Sequence, residues 1–297
     1  MVNIIDLKFQ GFSEAIASFL IESGDGPVLV ETGPHSTFQN LVAGVNSCGY
    51  QIEDVKHVLL SHIHFDHAGA AWALAQTGAK VYVHPLGAKH LLDPSRLYES
   101  AKRIYKDQMD ILWGKLEPVK QDRLIQIPDQ ETLKIGGLNF KAHHTPGHAI
   151  HHIAWQLEDS LFTGDVAGVR VGNGPIVAPC PPPDIHIEHW KESIGKIRNM
   201  AISKLYLTHY GEFNDIDQHL SNLEFILDDW ANWIKDKMKK GKGPEEATPE
   251  FQEYVASQLR EEGLNENEIG RYEAANPAWM SVAGLMRYWN KLGGIGA

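Results

Sequence analysis

HVLLSHIHFDHAGAAWALAQTG (57–78) is the stretch on which the reading of this chain turns. An apolar run ends at Ser61, four side chains of metal-ligand type follow within six residues, and a helix of small residues begins. On extended backbone, residues two apart face the same way, so His62 and His64 can converge on one cation. The chain then turns into the helix, and Asp66 and His67 project elsewhere. Two pairs of ligands split by geometry are what a two-cation site needs. Crowding three imidazoles and a carboxylate brings no packing benefit and is costly when the imidazoles protonate. Imidazole and carboxylate donors suit zinc, iron or manganese better than magnesium or calcium, which favour all-oxygen sites.

Three more candidates occupy the same local setting. His148 follows a strand ending near His143 and the turn TPG (145–147), Asp165 ends LFTGD (161–165), and His209 ends KLYLTH (204–209). Each places a ligand-type side chain just past an apolar strand, so one sheet edge can gather them with the 62–67 group. Loops on a rigid scaffold are a favoured place for function. A lone histidine or Gly-Asp turn after a strand is ordinarily just hydrogen-bonded structure. The cluster at 62–67 is what raises the other three.

Working outward, AIASFLIE (15–22), PVLVE (27–31), KVYVH (80–84), RLIQI (123–127), LNFKAHH (138–144), IAWQL (153–157) and SLFTGD (160–165) read as further strands. Helical periodicity appears at 36–47, 67–77, 97–113 and 187–200. Strands and helices interleave to about residue 210, an α/β pattern. Within 15–31 and 123–165 the strands lie too close for crossover helices, so hairpins and mixed sheets are expected. After residue 215 the pattern is helical throughout. DQHLSNLEFILDDWANWIKDKMKK (217–240) is a long amphipathic helix, GKGPEEATPE (241–250) reads as a linker, and WMSVAGLMRYWNKLG (279–293) is a further helix. The expected division is a catalytic α/β domain over 1–215 and a helical extension over 216–297.

Composition narrows the partners. The 297 residues carry Lys+Arg 27 against Asp+Glu 38, a net charge of −11, which argues against a protein that tracks nucleic-acid phosphates. No run approaches the ~18 apolar residues of a membrane span. Asp6, Glu14, Glu22 and Asp25 interrupt any apolar leader in the first thirty residues, and Cys48 and Cys180 stand far apart, so a cytoplasmic, disulfide-free protein is expected. Histidine, at 16, outnumbers Phe, Tyr or Trp.

SHIHFDH (61–67), TPGH (145–148), TGD (163–165) and LTHYG (207–211), in that order and spacing, resemble the metallo-β-lactamase-fold hydrolase superfamily over roughly residues 15 to 215. VETGP (30–34), the loop PPPD (181–184) and the tail NPAWMSVAGLMRYW (276–289) further resemble its hydroxyacylglutathione-hydrolase-like, broad-specificity members. The resemblance implies an αββα sandwich of two mixed sheets with outer helices and metals at one edge. It implies that His62, His64 and His148 hold one cation, that Asp66, His67 and His209 hold a second, and that Asp165 bridges them. Two divalent ions, zinc with iron or manganese as alternatives, would share a hydroxide that attacks an ester-like bond in a lactone, ester or thioester. Phosphotriester cleavage is expected as a promiscuous activity. Asp66 is the candidate proton shuttle, and Asp66 and Asp165 are the candidate catalytic carboxylates. Ser61 stands where the family commonly has Thr. Glu31 stands where many members have Asp, at a position behind the ligands.

Two alternatives share the scaffold: a glyoxalase II-type thioesterase and an iron-dependent sulfur dioxygenase. The first needs a basic glutathione clamp, for which Arg271, Arg287 and Lys291 are candidates. The expected partners are a small-molecule substrate and a second copy of the chain in a homodimer, with no nucleic acid and no membrane. Around the ligand motifs, His143, His144, His151 and His152 can orient ligands or serve as ordinary strand residues. The segment 93–120 can cap the pocket or be a plain amphipathic helix, and the proline-rich loop 174–184 can wall it. Tyr210 can face an oxyanion or pack, Cys180 reads as inert, and the lysines of 235–242 read as a solvated helix end. No G-x-S-x-G nucleophile elbow is present.

Overall fold

The interleaved strands and helices sort into two six-stranded sheets packed face to face, as seen in a computed structural model that describes residues 1–293. The first sheet runs in sequence order: β1 (Val2–Asp6), β2 (Ala17–Ile21), β3 (Val28–Val30), β4 (His57–Leu59), β5 (Lys80–Val83) and β6 (Leu124–Gln126). β1 to β3 pair antiparallel, and β3 to β6 pair parallel. Each parallel step needs a crossover. α1 (Phe38–Ser47) makes the first, and α2 (Phe65–Ala68) with α3 (Ala71–Gln76) the second. α4 (Pro85–Leu92), α5 (Ser95–Tyr105) and α6 (Met109–Leu112) make the third.

The second sheet holds β7 (Thr132–Ile135), β8 (Leu138–His144), β9 (Ile153–Leu157), β10 (Ser160–Gly164), β11 (Lys204–Leu207) and β12 (Gly211–Phe213). It is antiparallel except between β10 and β11, which α7 (Ile187–Arg198) connects. Both sheets are therefore mixed, as the close strand spacing predicts. The sheets meet over Phe19, Phe140, Trp155, Phe162 and Tyr206, with Phe19 and Phe162 rings 5.4 Å apart. Hydrogen bonds also stitch them together at the edge where the histidine motifs end. Ile153 N–H donates to Ser61 O at 2.7 Å, Ala17 N–H to Thr208 O at 2.7 Å, and Trp155 Nε1–H to Leu60 O at 2.9 Å.

Three strands absent from the sequence reading, β1, β7 and β12, all lie at sheet edges and are short or partly exposed. Their apolar pattern is correspondingly thin, and only pairing with a longer neighbour makes them strands. α4 also escapes the periodicity. Pro85 opens it at the first helical position, and His84 Nδ1 accepts from Leu86 N–H at 3.0 Å.

The tail comprises α8 (Ile216–Lys239), α9 (Pro244–Glu261), α10 (Glu266–Ala275) and α11 (Ala278–Lys291). The expected linker over 241–250 shrinks to three residues, because Pro244 starts α9 and the Glu246 carboxylate accepts from Gly243 N–H at 3.4 Å. Phe251 of α9 packs on Trp230 of α8 with rings 5.0 Å apart, and Lys237 and Lys242 both pair with Glu250. Packing thus outweighs the Gly-, Pro- and charge-rich composition. Leu220, Leu223 and Leu227 of α8 join Leu161, Leu205 and Ile194 in one apolar cluster, so the tail lies on the outer layer of the second sheet. Among the described residues, no helix is long and apolar enough to cross a membrane.

Candidate metal centre

Beyond β4 the chain leaves regular structure, His64 takes up extended backbone (φ −64°, ψ 154°), and α2 begins at Phe65. That geometry brings His62 Nε2 within 2.8 Å of His64 Nδ1. His148, on the turn between β8 and β9, brings its Nε2 to 3.2 Å from the first and 3.1 Å from the second. The first turn of α2 carries Asp66 and His67, with His67 Nε2 3.7 Å from Asp66 Oδ2. His209, just past β11, has Nε2 3.5 Å from Asp66 Oδ2. Asp165, just past β10, lies between the two groups. Its Oδ1 is 3.2 Å from His67 Nε2 and 3.5 Å from His209 Nε2, and its Oδ2 is 3.3 Å from His148 Nε2. The chain thus brings together all seven side chains that the sequence singled out. They come from both sheets, one strand end of the first and three of the second.

Three sets of donor atoms lie mutually within 4.8 Å: His62, His64 and His148; His62, His67 and Asp165; and Asp66, His67 and His209. His67 Nε2, His209 Nε2 and Asp165 Oδ1 are buried without a hydrogen-bond partner. Buried polar atoms are ordinarily satisfied, and a divalent cation satisfies imidazole nitrogens and carboxylate oxygens placed this way. The donor set therefore fits a divalent cation.

Neighbouring groups aim these rings. His148 Nδ1–H donates to Pro179 O at 2.8 Å and His209 Nδ1–H to Ala15 O at 2.7 Å, which leaves each Nε2 free to face the cluster. Glu31 Oε1 accepts from Ser61 N–H at 2.9 Å, while Oε2 lies 3.2 Å from His67 Nδ1. It holds this post at φ 66°, an uncommon backbone for a non-glycine residue. His152 Nε2 accepts from Asp165 N–H at 3.2 Å, and its Nδ1 is 2.8 Å from Thr145 Oγ1. Glu31→Gln is expected to keep the Ser61 bond, remove the charge beside His67 and weaken zinc binding about 10–100-fold. Competition against a chromogenic chelator measures this, and unchanged affinity would remove Glu31 from the site.

Charge organises the cluster into two halves. Burial and the neighbouring imidazoles of His67 and His64 hold His62 far below the usual imidazole range. Burial and His148 take His64 down to about 3. His67 behaves oppositely: burial opposes its charge, yet Asp165, Asp66 and Glu31 together raise its pKa well above ordinary. His209 is raised as well, against burial, by Asp165 and Asp66. Burial also opposes charge on the carboxylates, but His67 and His209 bring Asp66 down to about 2. His67, His148 and His209 hold Asp165 far below the usual carboxylate range. One half of the cluster is neutral imidazole, and the other pairs carboxylates with imidazoles that they hold toward the protonated form.

The remaining sequence candidates separate clearly. His143 bonds Gln156 and Gln130, and His144 Nε2–H donates to Ile127 O, so neither serves the cluster. His151 lines the adjoining cavity, with Nε2 3.8 Å from Asp184 Oδ2. Burial pushes the Cys180 thiol up, consistent with an inert side chain. Tyr210 packs against the inter-sheet core and borders a different surface cavity. Arg271 pairs with Glu14 at 3.0 Å, and Arg287 and Lys291 both donate to Pro183 O, so these three form no basic clamp in the cavity. Of the tail lysines, Lys237 pairs with Glu250 and Lys235 lies 4.1 Å over the Trp289 ring, so that helix end is tied down rather than simply solvated.

Known proteins carry related sequences and a similar fold. The chain is 30% identical over 178 residues to a metallo-beta-lactamase fold-containing protein of Sulfurisphaera tokodaii, covering 58% of this chain and 67% of that one. It is 25% identical over 205 residues to an atrochrysone carboxyl ACP thioesterase of Aspergillus fumigatus, covering 68% of this chain and 39% of that one. The crystal structure of a metallo-beta-lactamase family protein from Thermus thermophilus superposes with a TM-score of 0.68 at 18% identity. The match covers 100% of this chain and 94% of that one. Residues 14–209, which run from the loop before β2 through His209, match the family model described as the metallo-beta-lactamase superfamily. With its own histidine and aspartate cluster at the edge of the sandwich, this chain belongs to that superfamily of hydrolases.

Proposed function

We propose that this chain hydrolyses ester-like bonds with two divalent cations, zinc by preference and iron or manganese as alternatives. His62, His64 and His148 would hold one cation and Asp66, His67 and His209 the other, with the Asp165 carboxylate placed between the two groups. The substrates are small esters, lactones and thioesters, with phosphotriesters as a promiscuous class. The observation that carries this reading is the set of buried and half-buried donor atoms from four strand ends, within 4.8 Å of one another in three overlapping groups. The thioesterase named among the relatives supports an ester-like bond, and VETGP, PPPD and the tail motif support placement among the broad-specificity, hydroxyacylglutathione-hydrolase-like members.

Divalent cations held there supply Lewis acidity at the scissile carbonyl and bring the pKa of water toward neutrality. The protein supplies the rest. Asp66 lines the cavity with a side chain 21% exposed, and its carboxylate is anionic at neutral pH. It is placed to take a proton from attacking water and pass it to the leaving group. His67 and His209 flank that carboxylate and fix its orientation.

Dialysis against a chelator is expected to abolish turnover of 4-nitrophenyl acetate, and zinc is expected to restore it, with uptake saturating at two equivalents per chain. Full turnover without metal would overturn the reading, and saturation at one equivalent would overturn its two-cation form. Uptake also has a proton signature. His67 carries a raised pKa in the metal-free chain and so holds a proton at neutral pH, whereas a metal requires the neutral ring. Metal binding therefore expels that proton, and apparent affinity rises with pH through the neutral range. Calorimetry in two buffers of different ionisation enthalpy measures the release.

A further inference from the structure

Past the donor atoms, a cavity of about 440 Å³ continues between two apolar walls, with Lys89, His90, Arg96 and Asp184 also on its lining. The first is a run of rings. Phe65 lies 5.6 Å from Trp113, Trp113 lies 5.2 Å from Tyr105, and Tyr105 lies 5.6 Å from Trp279, centroid to centroid. The run starts one residue after His64 and ends on the first turn of α11. Tyr105 Oη also reaches Met280 Sδ at 3.8 Å, which ties α5 to the tail. The second wall is the loop Pro179 to Pro183, anchored because Pro179 O accepts from His148 and Pro183 O from Arg287 and Lys291. Proline carries no N–H, so this wall offers little to a polar ligand. At the mouth stand Leu86, Ile104 and Ile150, which are 50%, 48% and 47% exposed. Large aliphatic side chains left in water singly are unremarkable, but several around one opening mark a surface that an apolar ligand covers.

We infer that this cleft takes the acyl chain or aryl ring of the substrate. The tail, through Trp279 and Met280, then sets a preference for long apolar acyl groups over short ones. The inference rests on the ester-hydrolase reading and adds the substrate class and the element that selects it. The size suits a small organic ligand, since binding pockets fall at roughly 300–1,000 Å³. The tail thus contributes a wall of the cavity that the α/β body alone would leave open.

The test is a series of 4-nitrophenyl alkanoates from acetate to decanoate on the zinc-loaded protein, alongside quenching of tryptophan fluorescence by decanamide, which is neutral and not an ester. kcat/KM is expected to rise about two- to fourfold per methylene until the cleft is filled. The decanoate-to-acetate ratio is expected to fall about tenfold in Trp279→Ala. Tyr105→Leu, a milder change on α5, is expected to lower the ratio in the same direction should the first variant fold poorly. Decanamide is expected to quench wild type and to quench Trp279→Ala less. A flat chain-length profile with acetate turned over would overturn the inference and leave the hydrolase reading standing. With no ester turned over at all, quenching that depends on Trp279 would still support the cleft, and its absence would overturn it.

Discussion

Asp165→Asn is expected to lower ester hydrolysis about a thousandfold or more, the scale of several kcal/mol of electrostatic stabilisation, while leaving the far-ultraviolet circular dichroism unchanged. Asparagine matches aspartate in size, and the Asp165 N–H bond to His152 is a backbone bond that the substitution leaves in place. What disappears is one negative charge facing His67, His148 and His209 at 3.2, 3.3 and 3.5 Å. On the proposed reading that charge is shared by both cations, so metal content by mass spectrometry should fall together with kcat/KM. His64→Ala removes a donor from one group only and should also abolish turnover. A variant with full activity and full metal content at either position would remove the two-cation mechanism.

Gly147→Ala is expected to cost about 3 kcal/mol or more of stability, the upper range for forcing atoms into packed space, and to displace His148. Gly147 has φ 142°, and a Cβ there would lie 2.2 Å from Trp190 Cα, 2.3 Å from Trp190 Cβ and 2.5 Å from Trp190 N. Those atoms belong to the first turn of α7, held in turn by His186 N–H donating to Gly147 O at 2.9 Å, so the obstacle is backbone rather than a side chain that can swing aside. Gly195 of the same helix is the control. Nothing lies within 4 Å of a Cβ placed there, so Gly195→Ala is expected to stabilise the protein by roughly 0.5–1 kcal/mol through helix propensity. Urea unfolding of both variants, with metal content measured beside it, separates the outcomes. A Gly147→Ala protein as stable as wild type would mean that α7 can retreat without disturbing the site.

Much of the site is legible because its requirements are local. His62 and His64 meet because extended backbone repeats every two residues, and Asp66 and His67 part from them because a helix begins at Phe65. His148, Asp165 and His209 each announce themselves as a ligand-type residue at the end of an apolar run. Glu31 is visible only as a variant of a family position. Its role depends on His67, a residue far along the chain, and on a left-handed backbone that no pattern of apolar residues encodes. His151 and His152 are adjacent and identical in type, yet one faces the cavity and the other receives the Asp165 N–H. Alternation along the chain entering β9 and the meeting of two sheets separate them.

The layered sandwich was implied only by the family resemblance, whereas the sequence by itself determined the α/β pattern with mixed sheets, the helical character of the tail and the seven side chains of the cluster. These follow from periodicity and short-range spacing, which act through the backbone of a few neighbouring residues. Only the tertiary structure decided that α9 begins inside a stretch composed like a linker. It also decided that β1, β7 and β12 complete the sheets, and that Trp279 meets Tyr105 to wall the cavity. Those outcomes depend on apolar surface buried between segments far apart in the chain, and burial of that kind is a property of the packed whole.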